Sequence, residues 1–304
     1  MTKHKILIGP SSFAALDTAP IEKLIKTGFE VINNPFGRKL TKQELMELLH
    51  GVKGVIAGLE TLDDEVLCKS ELKVISRCGS GLSNVDMVSA KKMRIKVFNT
   101  PYGPTTAVAE LTIGAMINLL RMVSLMDRSM REGKWKKKIG VQLEGKTIVI
   151  LGFGRIGRKV ASLLKSFHVK IVAVDPVLRG DVDGVEVSSL NKAFAKADII
   201  TIHSSGEKQI IGEKEFEFIK DGAFLLNVSR GGVINETSLI HALEKGKIAG
   251  AWLDTFSTEP YTGPLINYSQ VILTPHVGSY TLECRKSMEM ESVDNLISGF
   301  KEEL

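Results

Sequence analysis

The 304-residue chain has only three cysteines, Cys68, Cys78 and Cys284, which form no CxxC pair and no even set. A disulfide scaffold is therefore excluded, a reducing cytoplasm is the expected compartment, and no metal site is expected. Long apolar runs are lacking too. The longest, LTIGAMINLL at 111–120, has ten residues between Glu110 and Arg121. That is too short to span a bilayer and reads as a buried helix, so no membrane partner is expected. The opening residues, MTKHKILIGP, have neither a long apolar core nor a small-residue cleavage site, and no export signal is expected. The one dense basic run, GKWKKKIG at 133–140, contains a single tryptophan and lacks the interleaved aromatics of a single-strand nucleic-acid groove. Nucleic acid is not an expected partner, and no internal repeat or low-complexity segment is present.

What remains is an ordinary globular composition, 43% hydrophobic and 25% charged, with a net charge of +5 that a solvated surface accommodates. The length suits two lobes, each able to bury a core. Short β-rich runs alternate with helical patterns: KILIG, GVIAG, LKVISRCG and IKVFN first, then KTIVILG, VKIVAVD, ADIITIH, AFLLNVS, IAGAWLD and QVILTPH. Continuous apolar strands separated by helices belong to parallel sheets covered on both faces. The expected fold is therefore α/β, with two doubly wound parallel-sheet (Rossmann-like) domains and an active-site cleft between them. Pro101, Gly103 and Pro104 break the pattern before a long helix beginning near Thr105 or Thr106. This sets the expected division: 1–98 with a returning C-terminal helix at 280–304, and 99–279.

The run TIVILGFGRIGRKVASLL places Gly152, Gly154 and Gly157 as G-x-G-x-x-G between a strand and a helix. The first glycine permits the tight turn, the second lets a pyrophosphate approach the backbone, and the third lets helix and strand pack closely. The amides of Arg155 and Ile156 are then expected to face the phosphates. Asp175 ends the next strand, eighteen residues beyond Gly157, where an acid can hold ribose hydroxyls and repel a 2′-phosphate. NAD is the expected cofactor, in preference to NADP.

Three further strand ends carry chemistry. NVSRGGVINETSL places Arg230 just past one strand, WLDTFSTEP places Asp254 and Glu259 past the next, and LTPHVG places His276 past the third. Ligands of open parallel sheets bind beyond the carboxyl ends of the strands, so these four side chains are expected at one site. The guanidinium of Arg230 suits a substrate carboxylate, for which lysine is a poor substitute. His276 suits proton transfer at the reacting oxygen, and Glu259 suits fixing the imidazole tautomer and favouring its protonated form. Taken singly, Arg230 can be a surface ion-pair member, Glu259 a turn residue before Pro260, and His276 a satisfied loop histidine. Their occurrence together beside the glycine motif favours hydride transfer at a 2-hydroxy or 2-keto acid.

From about Val74 to the end the chain resembles the D-isomer-specific 2-hydroxyacid dehydrogenases, and within them the D-3-phosphoglycerate dehydrogenases. The resemblance is carried in order by SRCGSGLSNVDM, NTPYGPTTAVAELTIGAM, GKTIVILGFGRIGR, NVSRGGVINETSL, LDTFSTEP and LTPHVGSYT. It implies Arg230, Glu259 and His276 as the catalytic set and Asp254 as a contact of the nicotinamide amide. Arg155, Ile156 and Asp175 would hold the rest of the cofactor, and Ser204, Val228 and Ser229 would line its site. Arg77, Gly79, Ser80 and Gly81 would face the small anionic substrate, with backbone amides receiving its carboxylate; Cys78 in the same loop reads as a packing residue. A homodimer through the NAD-binding domain is also implied, with AELTIGAMINLLRMVSLMDRSM supplying the clasping helix; a plain core helix is the competing reading, because the stripe Leu111, Ala115, Asn118, Met122 is apolar apart from Asn118.

The activity implied is oxidation of D-3-phosphoglycerate to 3-phosphohydroxypyruvate in serine biosynthesis. Two departures bear on the acid. Phosphoglycerate enzymes commonly carry an arginine in an early loop that here reads IAGLETLDDEV, with Glu60 and no basic residue, and HSSGEKQIIG is more compact than the proline-bearing loop usual there. Arg77 or the run Lys136 to Lys138 is the expected source of compensating charge. The alternative acids are glycerate, hydroxypyruvate and glyoxylate, and a reading from another class is an NAD-sensing interaction protein. Ending at Leu304, the chain is not expected to carry a serine-responsive regulatory extension.

Overall fold

The computed structural model describes residues 4–301. It divides into two compact units, one running up to Pro104 and resuming at Ser279, the other from Thr105 to Gly278. The first division thus falls six residues beyond the expected 98/99. The reason is local: Gly79 N donates to Thr100 Oγ1 at 2.6 Å and Thr100 N to Gly79 O at 3.0 Å, which ties the segment after the last strand to the first unit.

The first unit contains β1 (Lys5–Ile8), α1 (Ala19–Lys26), β2 (Glu30–Asn33), α2 (Lys42–Leu48), β3 (Val52–Ala57), α3 (Asp64–Cys68), β4 (Val74–Arg77), α4 (Met87–Lys92) and β5 (Lys96–Asn99). Its sheet has the order β2-β1-β3-β4-β5, all parallel. The second unit contains α5 (Pro104–Arg121), which starts on the last residue of the first, then α6 (Val123–Arg131), β6 (Thr147–Leu151), α7 (Arg155–Leu164), β7 (Lys170–Val174), β8 (Glu186–Val187), α8 (Leu190–Phe194), β9 (Ile199–Ile202), α9 (Glu213–Phe218), β10 (Ala223–Asn227), α10 (Glu236–Glu244), β11 (Ile248–Leu253) and β12 (Val271–Leu273). Its seven strands are also parallel, ordered β12-β11-β10-β9-β6-β7-β8. β6 and β9 at its centre, TIVIL and IITI, are almost wholly buried, and side chains from both faces feed two apolar clusters. The expected pair of parallel α/β sheets is borne out.

The final helix, α11 (Leu282–Gly299), returns to the first unit. Ser76 Oγ donates to Ser292 O at 2.7 Å, and Lys96 Nζ to Gly299 O at 3.0 Å. Positions 302–304 of the expected C-terminal segment lie outside the described residues.

The single long helix expected over 109–130 is instead two, α5 and α6, bent by 63° at Met122, whose φ is +52°. Asn118, the one polar member of the apolar stripe, explains the break. Its Oδ1 accepts from Ser124 N at 2.8 Å and its Nδ2 donates to Ser124 Oγ at 2.7 Å, so it caps the second helix from the first. Among the described residues no single helix is long and apolar enough to cross a membrane.

Candidate active site

Because all strands of the second unit are parallel, their carboxyl-end loops lie on one edge, and the chain order reverses between β6 and β9. Such a reversal opens the crevice in which ligands of doubly wound sheets bind. The glycine turn sits there. Gly152 has φ +87°, and a Cβ on it would lie 2.6 Å from Ser204 N, so the turn presses directly on the chain leaving β9. A Cβ on Gly157 would lie 2.3 Å from Gly152 O, which fixes α7 against the turn. Gly154 is different: it caps α7 and nothing lies within 4 Å of where its Cβ would be. The space it leaves faces the start of a ten-residue helix opened by Arg155 and Ile156, the arrangement that receives a diphosphate.

Asp175, just past β7, accepts from Phe153 N at 2.9 Å through Oδ2 and from Val177 N at 3.0 Å through Oδ1. An ionised carboxylate has about four acceptor positions, so two remain for ribose hydroxyls. Beside Gly152, the Oγ of Ser204 and the Nδ1 of His203 are out of solvent without a hydrogen-bond partner in the protein. His203 Nε2 pairs with Thr201 Oγ1 at 2.9 Å, and burial pulls the imidazole down to about 3, so it stays neutral. Open space at Gly154, free acceptor capacity at Asp175 and buried polar atoms awaiting partners fit a bound dinucleotide.

The loop after β10 is folded by Asn227. Its Oδ1 accepts from both N and Oγ of buried Ser229, at 3.0 and 2.8 Å, and its Nδ2 donates to Arg230 O at 2.8 Å. Arg230 Nη1 donates to Ser229 O at 2.7 Å, and among the described residues no carboxylate engages the guanidinium. The following Gly231 leaves no room for a side chain: a Cβ would lie 1.9 Å from Phe256 C and 2.1 Å from Ser257 N. The turn that carries Arg230 is thereby seated on the chain that leads to Glu259.

Glu259 and His276 form a pair. Glu259 Oε1 accepts from Phe256 N at 3.0 Å, while Oε2 lies 2.9 Å from His276 Nδ1. A carboxylate only accepts, so Nδ1 carries the proton and Nε2 is left without this partner. The imidazole side chain is 37% exposed and thus reachable. His276 itself has φ +53°, an unusual conformation for a side-chain-bearing residue, next to an Asp254 that is wholly buried. Asp254 accepts from Thr274 Oγ1 at 2.6 Å, Val277 N at 2.9 Å and Gly278 N at 2.8 Å, so it grips the histidine loop on both sides. Val228 Cγ2 would lie 3.3 Å from a Cβ on Gly278, at the same corner.

In the first unit, Arg77 ends β4 and its Nη1 donates to Cys78 O at 2.9 Å. Gly79, at φ +142°, lies under this guanidinium: a Cβ would overlap Arg77 Nη1 at 1.1 Å. Ser80 O accepts from Asn99 Nδ2 at 2.7 Å, and Gly81 continues the same turn. Burial pushes the Cys78 thiol up to about 11, consistent with a packing role. Glu60 is not a surface acid. Only 2% exposed, it accepts from Gly58 N and packs against Gly9, so its carboxylate fills the gap between the ends of β1 and β3, where this sheet reverses its order.

The structure therefore joins Glu259 to His276, Asp254 to the histidine loop, the Arg230 turn to the Glu259 segment, and Gly152 to Ser204. Sequence reasoning missed His203, Gly231 and Thr274, all within two residues of residues it named.

The description "D-isomer specific 2-hydroxyacid dehydrogenase, NAD binding domain" matches residues 113–278. The D-3-phosphoglycerate dehydrogenase of Sus scrofa is 34% identical over 306 residues, covering 96% of this chain and 56% of that protein. The hydroxypyruvate reductase of Thermotoga maritima is 35% identical over 274 residues, covering 86% of this chain and 89% of that protein. Among solved structures, a glyoxylate reductase from Paecilomyes thermophila superposes with a TM-score of 0.88 at 29% identity, covering 99% of this chain and 96% of that one. The chain thus spans about half the length of the phosphoglycerate dehydrogenase it matches and most of the length of the hydroxypyruvate reductase.

Proposed function

The chain belongs to the D-isomer specific 2-hydroxyacid dehydrogenases, and on that premise we propose that it interconverts a small D-2-hydroxy acid and the matching 2-keto acid with NAD(H). The observation that carries this reading is the Glu259–His276 pair at 2.9 Å, with Nε2 of the imidazole left to act. NAD, when bound, supplies the hydride acceptor or donor. In oxidation, His276 Nε2 takes the hydroxyl proton as the carbonyl forms; in reduction the imidazolium returns it. Glu259 holds the ring and balances its positive charge. Arg230 pairs its planar guanidinium with the substrate carboxylate, and the amides of Gly79, Ser80 and Gly81 are its proposed second receiver. Asp254, buried behind the histidine loop, is the proposed partner of the nicotinamide amide.

Two acids stand under this reading. D-3-phosphoglycerate, oxidised to 3-phosphohydroxypyruvate in serine biosynthesis, is supported by the names of the relatives at 34% identity. Unphosphorylated hydroxypyruvate, glycerate or glyoxylate is favoured by Glu60, which fills the strand-end gap of the first sheet in a loop that has no basic residue. NADH consumption with 3-phosphohydroxypyruvate, hydroxypyruvate and glyoxylate, compared as kcat/KM, tests both. A preference for either class decides the acid, and no turnover with any of the three points to another 2-keto acid or to an NAD sensor.

A homodimer through the second unit is the proposed assembly. It is supported by α6, which buries none of its residues, and by the exposed Val123, Met130, Trp135 and Ile139 around it. The proposed compartment is the cytoplasm, supported by three cysteines that are all free.

A further inference from the structure

A hydrogen-bond chain that none of the catalytic roles above uses runs between β11 and the segment just past β12 that leads to His276. Trp252 is fully buried on β11, and its indole Nε1 lies 3.0 Å from Thr274 Oγ1. An indole N–H only donates, so the threonine oxygen accepts there and its own proton goes to Asp254 Oδ1, 2.6 Å away. The direction of the chain is thereby fixed, from a core side chain to a buried carboxylate. Asp254 passes the constraint on through Val277 N and Gly278 N, the two amides that follow His276. The same threonine also holds the other side of the histidine, since His276 N donates to Thr274 O at 3.0 Å. Between these two grips His276 keeps φ +53°, which an L residue does not adopt without support.

We propose that Thr274 is a positioning residue for proton transfer: its hydroxyl locks Asp254 against the core, and Asp254 in turn holds the His276 loop in the left-handed conformation that aims the imidazole at Glu259. The proposal rests on the dehydrogenase reading for its kinetic consequence, whereas its structural consequence is measurable without turnover. A valine in place of threonine keeps the shape but gives Trp252 no acceptor and Asp254 one donor fewer. A serine keeps the hydroxyl.

The test compares Thr274→Val and Thr274→Ser in the parent and in the His276→Gln background. Expected for Thr274→Val is a fall in kcat of about tenfold or more, as for a displaced reacting group. Serine restores most of the loss. In the His276→Gln background, Thr274→Val adds less than about twofold, because a residue that acts only through His276 has nothing left to position. An equal fall in both backgrounds overturns the proposal.

A second readout needs no substrate. The chain has six histidines, and the ring resonance of His276 is identified by its loss in His276→Gln. It is expected as one sharp line in the parent and in Thr274→Ser, and broadened or split in Thr274→Val. An unchanged line in Thr274→Val overturns the proposal even if no acid is turned over. Thr274→Ala, with the same two outcomes, replaces the valine variant should that fail to fold.

Discussion

Glu259 holds His276 with one carboxylate oxygen, at 2.9 Å from Nδ1, and the backbone of its own loop with the other, at 3.0 Å from Phe256 N. One side chain thus sets both the ring and the turn beneath it. His276→Gln is expected to lower turnover by about 10²-fold or more, the scale for a lost acid or base. Glu259→Gln keeps the shape and loses the charge, and a smaller fall in turnover is expected. Both variants should bind NADH within about twofold of the parent; activity of His276→Gln within a few fold of the parent removes the catalytic role.

Gly231→Ala would thrust a methyl group into the backbone at Phe256 and Ser257. The expected result is a loss of about 1–3 kcal/mol of stability, read as a lower denaturation midpoint, with a rise in KM for the keto acid because the Arg230 turn is lifted from its seat. A variant as stable and as active as the parent would mean that the two loops do not depend on each other.

Asp175→Asn keeps the hydrogen bonds from Phe153 N in reach but removes the charge offered to the ribose. NADH affinity is expected to weaken by about tenfold, and the preference over NADPH to narrow, in a fluorescence titration with both nucleotides. An unchanged preference would place the discrimination elsewhere.

Acid stability follows Glu44, which closes the capping box of α2 with Thr41. The hydrogen bonds from Arg38, and next that from Thr41 N, hold its carboxyl down from an ordinary 4.5 to about 2. A depressed carboxylate stabilises the fold above its unfolded value and loses that contribution as the pH falls through the folded one. The melting-temperature gap between parent and Glu44→Gln is therefore expected to be full at pH 6 and to shrink between about pH 4.5 and 2. A gap that does not vary with pH would contradict this.

The central strands were legible because burial on both faces writes itself as an unbroken apolar run, as in TIVIL and IITI. Neither β2, with both ends exposed, nor the two-residue β8 has such a run, and both lie at sheet edges. The bend at Met122 was hidden because helical periodicity continues through it; the sign was Asn118, a lone polar residue whose partner, Ser124, is six positions away. At the site, residue types and strand ends identified His276 and Glu259. What they did not reveal was Asp254 as the grip on the histidine loop, or Glu60 as a buried plug, since both depend on which backbone amides happen to converge. Such convergence is a property of three-dimensional packing and leaves no spacing in the chain.

The two tryptophans are placed at opposite extremes, Trp135 with 77% of its surface in solvent and Trp252 with none. Their emission is therefore expected to be separable, the exposed ring responding to water and quenchers and the enclosed one to its bond with Thr274. Replacing Trp135 with phenylalanine would leave Trp252 as the one tryptophan, bonded to the threonine that accepts from His276 N. The protein thus carries a native optical gauge of the order in the loop that holds His276, readable without a label.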